Sequence, residues 1–507
     1  MMIRKIIEKF DGLIVYIESE RTPLIYFFSS FFFIAAIRLL FEQFSGEGVY
    51  YDYDKFFHYA LAFLFGALFV TFFLVEFLKL DIIKTLKVVF FAFGVIIFPP
   101  IIDLIVSFGK GYPIMYAPLT EWSEWPYYIL TFFGHFTGEG VTPGIRIEVA
   151  IILVGLFFYL KNKTSYKLAI FGVAGVYVFF TLWFAATFLI NKYLSFFNFS
   201  LDYPDNFLTQ IFLIGDILLI LPLLLRLNYK RFVLYLQEMS WLRVVHYIFS
   251  VFFGVILAMT VSGTGFKVNL PSLILAIFAL VLAAYFVVVI NNIFDQEIDR
   301  ISNQERALVG RKVSEAEYKK LILPLFAGSL FVSAISSVHT IFFVLLFIGF
   351  YYIYSAPPYR IKRYFLVSKM IISFNSLLMV MLGFLLSGQL LDAFPVEIVV
   401  FYLLIVTIVV NFIDLKDYEG DKAAGIKTLP IVVGLKKSKI IISLSFFVAY
   451  ASAYFVLRLD FIFLIPIALV AILQIYFVMR EPYRERPVFL TYLAAMLLIG
   501  GAMLYSL

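Results

Sequence analysis

The fold class predicted here is an all-α polytopic membrane protein, with about six transmembrane helices followed by a nine-helix bundle. Three observations predict it. Of 507 residues, 63% are hydrophobic and only 15% are charged, against about 25% charged in soluble proteins. Apolar runs close to the length of a membrane span recur from end to end. The loops between those runs alternate between basic and acidic, as the positive-inside bias requires.

The elements follow in order. Ile3, Ile6, Ile7, Phe10, Ile14 and Ile17 recur at helical spacing among Arg4, Lys5 and Lys9, which predicts a short amphipathic helix on the cytoplasmic membrane surface rather than a signal peptide. Six spans fit at about 24–41, 56–78, 87–107, 147–160, 168–190 and 207–227. Pro99-Pro100 should kink the third. The stretch Tyr127–Phe136 is expected to be the first half of the fourth span or a re-entrant piece. Nine more spans fit at about 243–261, 272–294, 321–337, 340–356, 366–388, 396–413, 439–457, 460–479 and 487–506. The boundary between the two sets falls near 228–240, giving a first domain over 1–230 and a second over 235–507.

Charge sets the expected orientation. Basic clusters follow the even-numbered spans, for example Lys161/Lys163/Lys167, Arg306/Arg311/Lys312 and Arg360/Lys362/Arg363. The intervening loops carry Glu42, Asp52, Glu121, Glu139 and Asp202. The alternation puts the N-terminus inside, the C-terminus outside and the loops after spans eight, ten and twelve in the cytoplasm. The net charge of +6 is explained by those loops, and no nucleic-acid-binding motif is present. With no cysteine, disulfides, thiolate metal sites and cysteine nucleophiles are excluded.

The first domain offers little chemistry. Asp54, His58, Asp103 and Asp216 form a second site only if the helices bring them together, and single interhelical hydrogen bonds are the plainer reading. The second domain offers more. Asn291, Asp295 and Asp299 stand at i, i+4 and i+8; Asp414, Asp417 and Asp421 stand at i, i+3 and i+7. If these stretches are helical, each triplet keeps within about 80° of one face. Two such clusters call for cations, and hard oxygen ligands favour Mg²⁺ or a similar ion. Arg306, Arg311, Lys362 and Arg363 lie in loops expected on the same side. Carboxylates plus nearby cations suit a diphosphate held through metal ions.

These residues resemble the UbiA-type intramembrane prenyltransferases. The first motif, Asn291-Asn292-x-x-Asp295-x-x-x-Asp299, is similar to the family's N-D-x-x-D-x-x-x-D, and Asp414-x-x-Asp417-x-x-x-Asp421 to its D-x-x-D-x-x-x-D. Asn303, Arg306-Ala307-Leu308 and Gly310, then Tyr354-Ser355-Ala356-Pro357-Pro358 and Gly425-Ile426-Lys427-Thr428-Leu429-Pro430, look like further family stretches. The resemblance covers about 235–507 and implies the family's nine-helix bundle. It implies prenyl transfer from a polyprenyl diphosphate to an acceptor in membrane lipid, quinone or related isoprenoid biosynthesis. Asp295, Asp299, Asp414 and Asp417 are then the catalytic residues. They would hold Mg²⁺ together with Asn291 and Asp421, while Arg306, Arg311, Lys362 and Arg363 take further diphosphate charge. The partners implied are a polyprenyl diphosphate donor, a lipophilic or aromatic acceptor and membrane lipid, with no nucleic acid. Asn292 departs from the family's Asp; at about 100° from Asn291 it lies off the shared face, so metal binding is expected to survive. Two alternatives stay open: a non-catalytic lipid-binding or transport protein, and a prenyltransferase fused to a second membrane enzyme.

Overall fold

The structure is a computed structural model that describes residues 2–45, 53–112, 121–134, 141–196, 204–263, 265, 267–423 and 425–507. Among them there is no strand, and fifteen helices are long and apolar enough to cross a membrane. The chain is an integral, multi-pass membrane protein. It divides into two compact units, Met1–Tyr229 and Lys230–Leu507.

The first unit holds six of the spans, from Leu24–Ser45 to Asn206–Leu227. The N-terminal helix Met2–Glu18 docks on it. Ile14 and Ile17 are buried in one cluster with Leu74, Leu78, Val88 and Tyr159. Asp11 accepts from Asn162 Nδ2 at 2.6 Å, and Glu18 pairs with Lys163 at 2.6 Å. The third span is distorted ahead of its prolines. Helix Ile82–Ala92 gives way to a 3₁₀ turn over Phe93–Ile97, and Phe98–Val106 restarts as α-helix with Pro99 and Pro100 in its first turn. A proline ring crowds the carbonyl four residues earlier, so the ladder has to rearrange upstream while the first turn tolerates the missing N–H groups.

The segment after it is not the first half of the fourth span. Trp125–Leu130 is a separate short helix, and the fourth span starts at Pro143. His135 and Phe136 of the expected stretch, and Glu139, lie outside the described residues. Thr142 caps the new helix and donates to Asp103 Oδ2 at 2.5 Å; Gly144 N donates to Asp103 Oδ1 at 2.7 Å. Asp103 therefore serves as an interhelical clamp. His58 lies 3.3 Å from Thr209 Oγ1, and Asp216 is fully buried with neither oxygen hydrogen-bonded. His58 and Asp103 thus bond to different elements, and the side chain of Asp54 lies outside the described residues.

The second unit opens inside helix Tyr229–Glu238, whose polar residues Arg231, Tyr235 and Glu238 are tied to the loop over 303–317. Arg231 pairs with Glu317 at 3.4 Å, Tyr235 donates to Glu317 Oε1 at 3.1 Å, and Ala307 N donates to Glu238 Oε1 at 3.0 Å. Nine spans follow, from Trp241–Ser262 to Glu485–Tyr505. Lipid tails are as apolar as leucine, so close packing and hydrogen bonds hold such helices together. Helices Trp241–Ser262 and Val367–Leu386 meet at two glycines. A Cβ on Gly254 would stand 1.9 Å from the Val380 carbonyl oxygen, and one on Gly383 would stand 1.9 Å from that of Val251. Only glycine at both positions allows this backbone contact. Around it, His246 lies 2.8 Å from Ser376 Oγ and 3.0 Å from the Tyr492 hydroxyl, Phe489 packs edge to face on Phe412 and Tyr492, and Phe446 packs on Tyr492 in a tilted arrangement.

Candidate active site

The first acidic motif straddles a helix break. Helix Leu270–Phe294 carries Asn291 and Asn292, Asp295 is its C-cap, and Gln296–Ser302 carries Asp299. Backbone bonds from Asp295 N to Asn291 O (2.9 Å) and from Asp299 N to Asp295 O (2.8 Å) carry the helical path across the break. The second motif is less regular than a single helix. Asp414 lies in the 3₁₀ turn Val410–Leu415, Asp417 in the following turn, and Asp421 on helix Tyr418–Ala423. Gly425 and Gly434 both have positive φ.

Helices Gln296–Ser302 and Tyr418–Ala423 pack against each other, which brings the two motifs together. The loop after span ten closes one side. Ser355 donates to Asn291 Oδ1 at 3.0 Å. Arg360, in a left-handed conformation, donates to the Phe294 carbonyl and to Asp295 Oδ1, each at 3.0 Å. It thereby satisfies a terminal carbonyl of the long helix and places positive charge at its negative end. Lys362 also pairs with Asp295 Oδ1. Asp299 accepts from Asn303 Nδ2 at 2.9 Å and faces Arg306 Nε at 3.4 Å. Lys369 pairs with Asp414, and Lys416 with Glu485. Asn292 is buried on the other side and donates to the Tyr318 hydroxyl at 2.9 Å, off the surface that carries the carboxylates.

Of the four loop cations read from the sequence, Arg306 and Lys362 reach the carboxylates. Arg311 and Arg363 are exposed and pair with no carboxylate among the described residues. Three more cations join the site. Arg360 and Lys369 contact carboxylates, and Arg243 acts electrostatically on Asp417. Lys369 opens an apolar run, and the rule that singles out Asp103 and Asp216 as intramembrane charges applies to it equally.

Burial is the main influence on Asp299, Asp417 and Asp421. It raises Asp299 against the opposing pull of Arg306 and Asn303. It raises Asp417 against Lys416 and Arg243. Asp421 is pushed up to about 7, by burial first and then by the charges of Asp414 and Asp417. Each carboxylate makes it harder to ionise the next.

The donor set fits a hard cation. It is all oxygen, and buried Oδ2 atoms of Asp299 and Asp414 accept no hydrogen bond. Among the described residues no three carboxylates converge on one point, and lysine ammonium groups stand against Asp295 and Asp414.

Comparison with known proteins covers this same unit. The UbiA prenyltransferase family profile matches residues 247–504. The chain is 29% identical over 245 residues to the digeranylgeranylglyceryl phosphate synthase of Sulfolobus acidocaldarius, covering 48% of this chain and 85% of that protein. It is 27% identical over 231 residues to the enzyme of the same name from Sulfurisphaera tokodaii, covering 45% and 80%. Among solved structures it is similar to the apo UbiA homolog from Aeropyrum pernix K1, with 22% identity, TM-score 0.43 and coverage of 52% and 98%. It is also similar to the Archaeoglobus fulgidus UbiA homolog bound to GPP and Mg²⁺, with 19% identity, TM-score 0.38 and coverage of 52% and 99%.

Proposed function

We infer the reaction from one premise: the chain belongs to the UbiA prenyltransferase family. It is an enzyme that transfers prenyl groups in membrane lipid biosynthesis. We propose that its donor is a polyprenyl diphosphate, that Mg²⁺ is required, and that the acceptor is a glyceryl phosphate ether with a free hydroxyl. The acceptor class is the one implied by the name of the relatives from Sulfolobus acidocaldarius and Sulfurisphaera tokodaii.

The observation that carries this reading is the packing of Gln296–Ser302 against Tyr418–Ala423, with cations on the carboxylates between them. Asp295, Asp299, Asp414, Asp417 and Asp421, with Asn291, would hold the metal. When bound, Mg²⁺ supplies positive charge against the departing diphosphate. Arg306, Lys362 and Arg360 bind phosphate oxygens, turning from carboxylate partners to the substrate. The allylic C–O bond breaks with both electrons leaving on the diphosphate. The acceptor hydroxyl oxygen then captures the allylic cation and loses its proton. The chain's own contribution is preorganised charge around the leaving group. Motif loops in the cytoplasm, the N-terminus inside and the C-terminus outside complete the proposal, supported by the alternation of loop charge.

Purified protein given Mg²⁺, labelled geranylgeranyl diphosphate and geranylgeranylglyceryl phosphate tests it. Diphosphate release is expected, falling by about 10² or more in Asp295→Ala and Asp417→Ala. Turnover at the wild-type level in both variants would overturn the assignment.

A further inference from the structure

Asn411 stands three residues ahead of Asp414, in the 3₁₀ turn Val410–Leu415 that ends the twelfth span. In a 3₁₀ helix side chains three apart eclipse, with a rise of about 6 Å between them. The two residues therefore share one face, as Asn291 and Asp295 do one α-helical turn apart in the first motif. The Asn411 amide is tied to its own helix. Its Nδ2 donates to the Thr407 carbonyl at 3.1 Å and to the Ile408 carbonyl at 2.9 Å. Turning the amide over would set its oxygen against both carbonyls. That leaves Oδ1 without a hydrogen bond, on a residue only 3% exposed. Asp414 is in the same condition: Lys369 holds Oδ1, and Oδ2 is buried and unbonded. Two orphaned oxygens thus stand on consecutive turns of one face, and a buried acceptor with no donor calls for a partner.

We propose that Asn411 Oδ1 is a further oxygen ligand for the metal ion that Asp414 helps to hold. The assignment rests on the metal-dependent reading above and adds a donor from outside the two acidic motifs. Mg²⁺ takes about six oxygens in near-octahedral order. Among the described residues no three carboxylates converge on one point, so the carboxylates alone supply few donors. An amide oxygen raises the donor count without adding a further negative charge beside Asp414 and Asp417. Its position is already fixed by the two carbonyl contacts of Nδ2, so little ordering is left to be done on binding.

The test is metal binding itself. Mn²⁺, a paramagnetic stand-in for Mg²⁺, is titrated into the full chain in detergent and the free ion is followed by electron paramagnetic resonance. Thermal unfolding is measured with and without Mg²⁺. Asn411→Leu keeps the size of the side chain and removes the oxygen. Its Mn²⁺ dissociation constant should rise by about fivefold or more. The Tm without metal should hold, while the rise that Mg²⁺ produces should shrink. Asn411→Asp restores an oxygen at the same place and should bind Mn²⁺ at least as tightly as the wild type. Asp417→Ala reports on the metal site as a whole. If the wild type binds no Mn²⁺, or Asp417→Ala binds it equally well, the metal-dependent reading falls and this assignment falls with it. If Asp417→Ala loses binding and a folded Asn411→Leu shows a smaller rise than fivefold, the assignment alone is overturned. Weaker binding in both Asn411 variants marks a packing role and overturns it as well. If Asn411→Leu fails to fold, Asn411→Asp decides on its own.

Discussion

Lys369 and Asp414 form an ion pair in which both side chains are at most 9% exposed, although 45 residues separate them in sequence. The pair ties helix Val367–Leu386 to the start of the second acidic motif. It also leaves Asp414 Oδ2 buried with no hydrogen bond. A lysine therefore supplies charge to a carboxylate that a metal ion would share.

Removing one partner should cost more than removing both. Lys369→Met strands a buried carboxylate, with an expected loss of about 3–5 kcal/mol. Adding Asp414→Leu should recover most of that stability and none of the transferase activity. Unfolding in mixed micelles together with kcat/KM for the donor checks both halves. A double variant as unstable as the single one would count against the pair.

The loop cations should separate into two classes. Arg306→Ala and Lys362→Ala remove charge beside Asp299 and Asp295, and a charge-assisted hydrogen bond is worth about 1.5–3 kcal/mol. KM for the prenyl diphosphate should rise tenfold or more in each. Arg311→Ala and Arg363→Ala alter exposed side chains and should shift it by threefold or less. Equal effects at all four positions would contradict this geometry.

Asn292 should matter for folding and not for metal binding. Asn292→Ala orphans the buried Tyr318 hydroxyl, at a cost of about 1–3 kcal/mol. Asn292→Asp should leave the Mg²⁺ dependence within about twofold of wild type, because the side chain points away from the other acids. Calorimetric titration with Mg²⁺ and thermal unfolding measure the two effects separately.

Asp421 predicts a pH dependence. Its carboxyl is raised from 3.8 to about 7, so the folded protein keeps a proton that the unfolded chain releases at lower pH. Metal-free stability should therefore fall as pH rises between about 4 and 7 and level off above. Mg²⁺ must displace that proton, so its apparent affinity should drop as pH falls below about 7, approaching tenfold per unit. Asp421→Asn should flatten both curves, measured by unfolding and by Mg²⁺ titration across pH 5–8.

The absence of cysteine allows a clean test of orientation. Arg311→Cys and Leu390→Cys place single thiols in exposed loops after spans eight and eleven. A membrane-impermeant maleimide should label the first only from the cytoplasmic side and the second only from the opposite side. Labelling of both from one side would rule out the proposed topology.

Much of this architecture was legible in the chain because burial in lipid writes itself into long apolar runs. The span predicted at about 272–294 runs over Leu270–Phe294, and that at about 460–479 over Phe461–Met479. Less legible was anything set by local backbone geometry or by contacts between distant segments. The break at Asp295, and the turn that interrupts the second motif at Lys416–Asp417, follow from how two short helices pack and leave no periodic trace. Arg360 reaches Asp295 because of its left-handed backbone, and Lys369 reaches Asp414 because two helices cross. The off-face position of Asn292 was legible, since one residue of helical rotation decides it.

The close approach of Gly254 to the Val380 carbonyl and of Gly383 to that of Val251 has a mechanical consequence. With main chain against main chain, there is no compressible side-chain layer, so sliding along either helix would drive a carbonyl oxygen into the next Cβ. The joint can swivel but cannot shear. Substrate entry is therefore expected at the segments over 296–302, 356–366 and 416–423. A crosslink that locks the glycine seam should leave turnover intact, whereas one joining 296–302 to 418–423 should stop it.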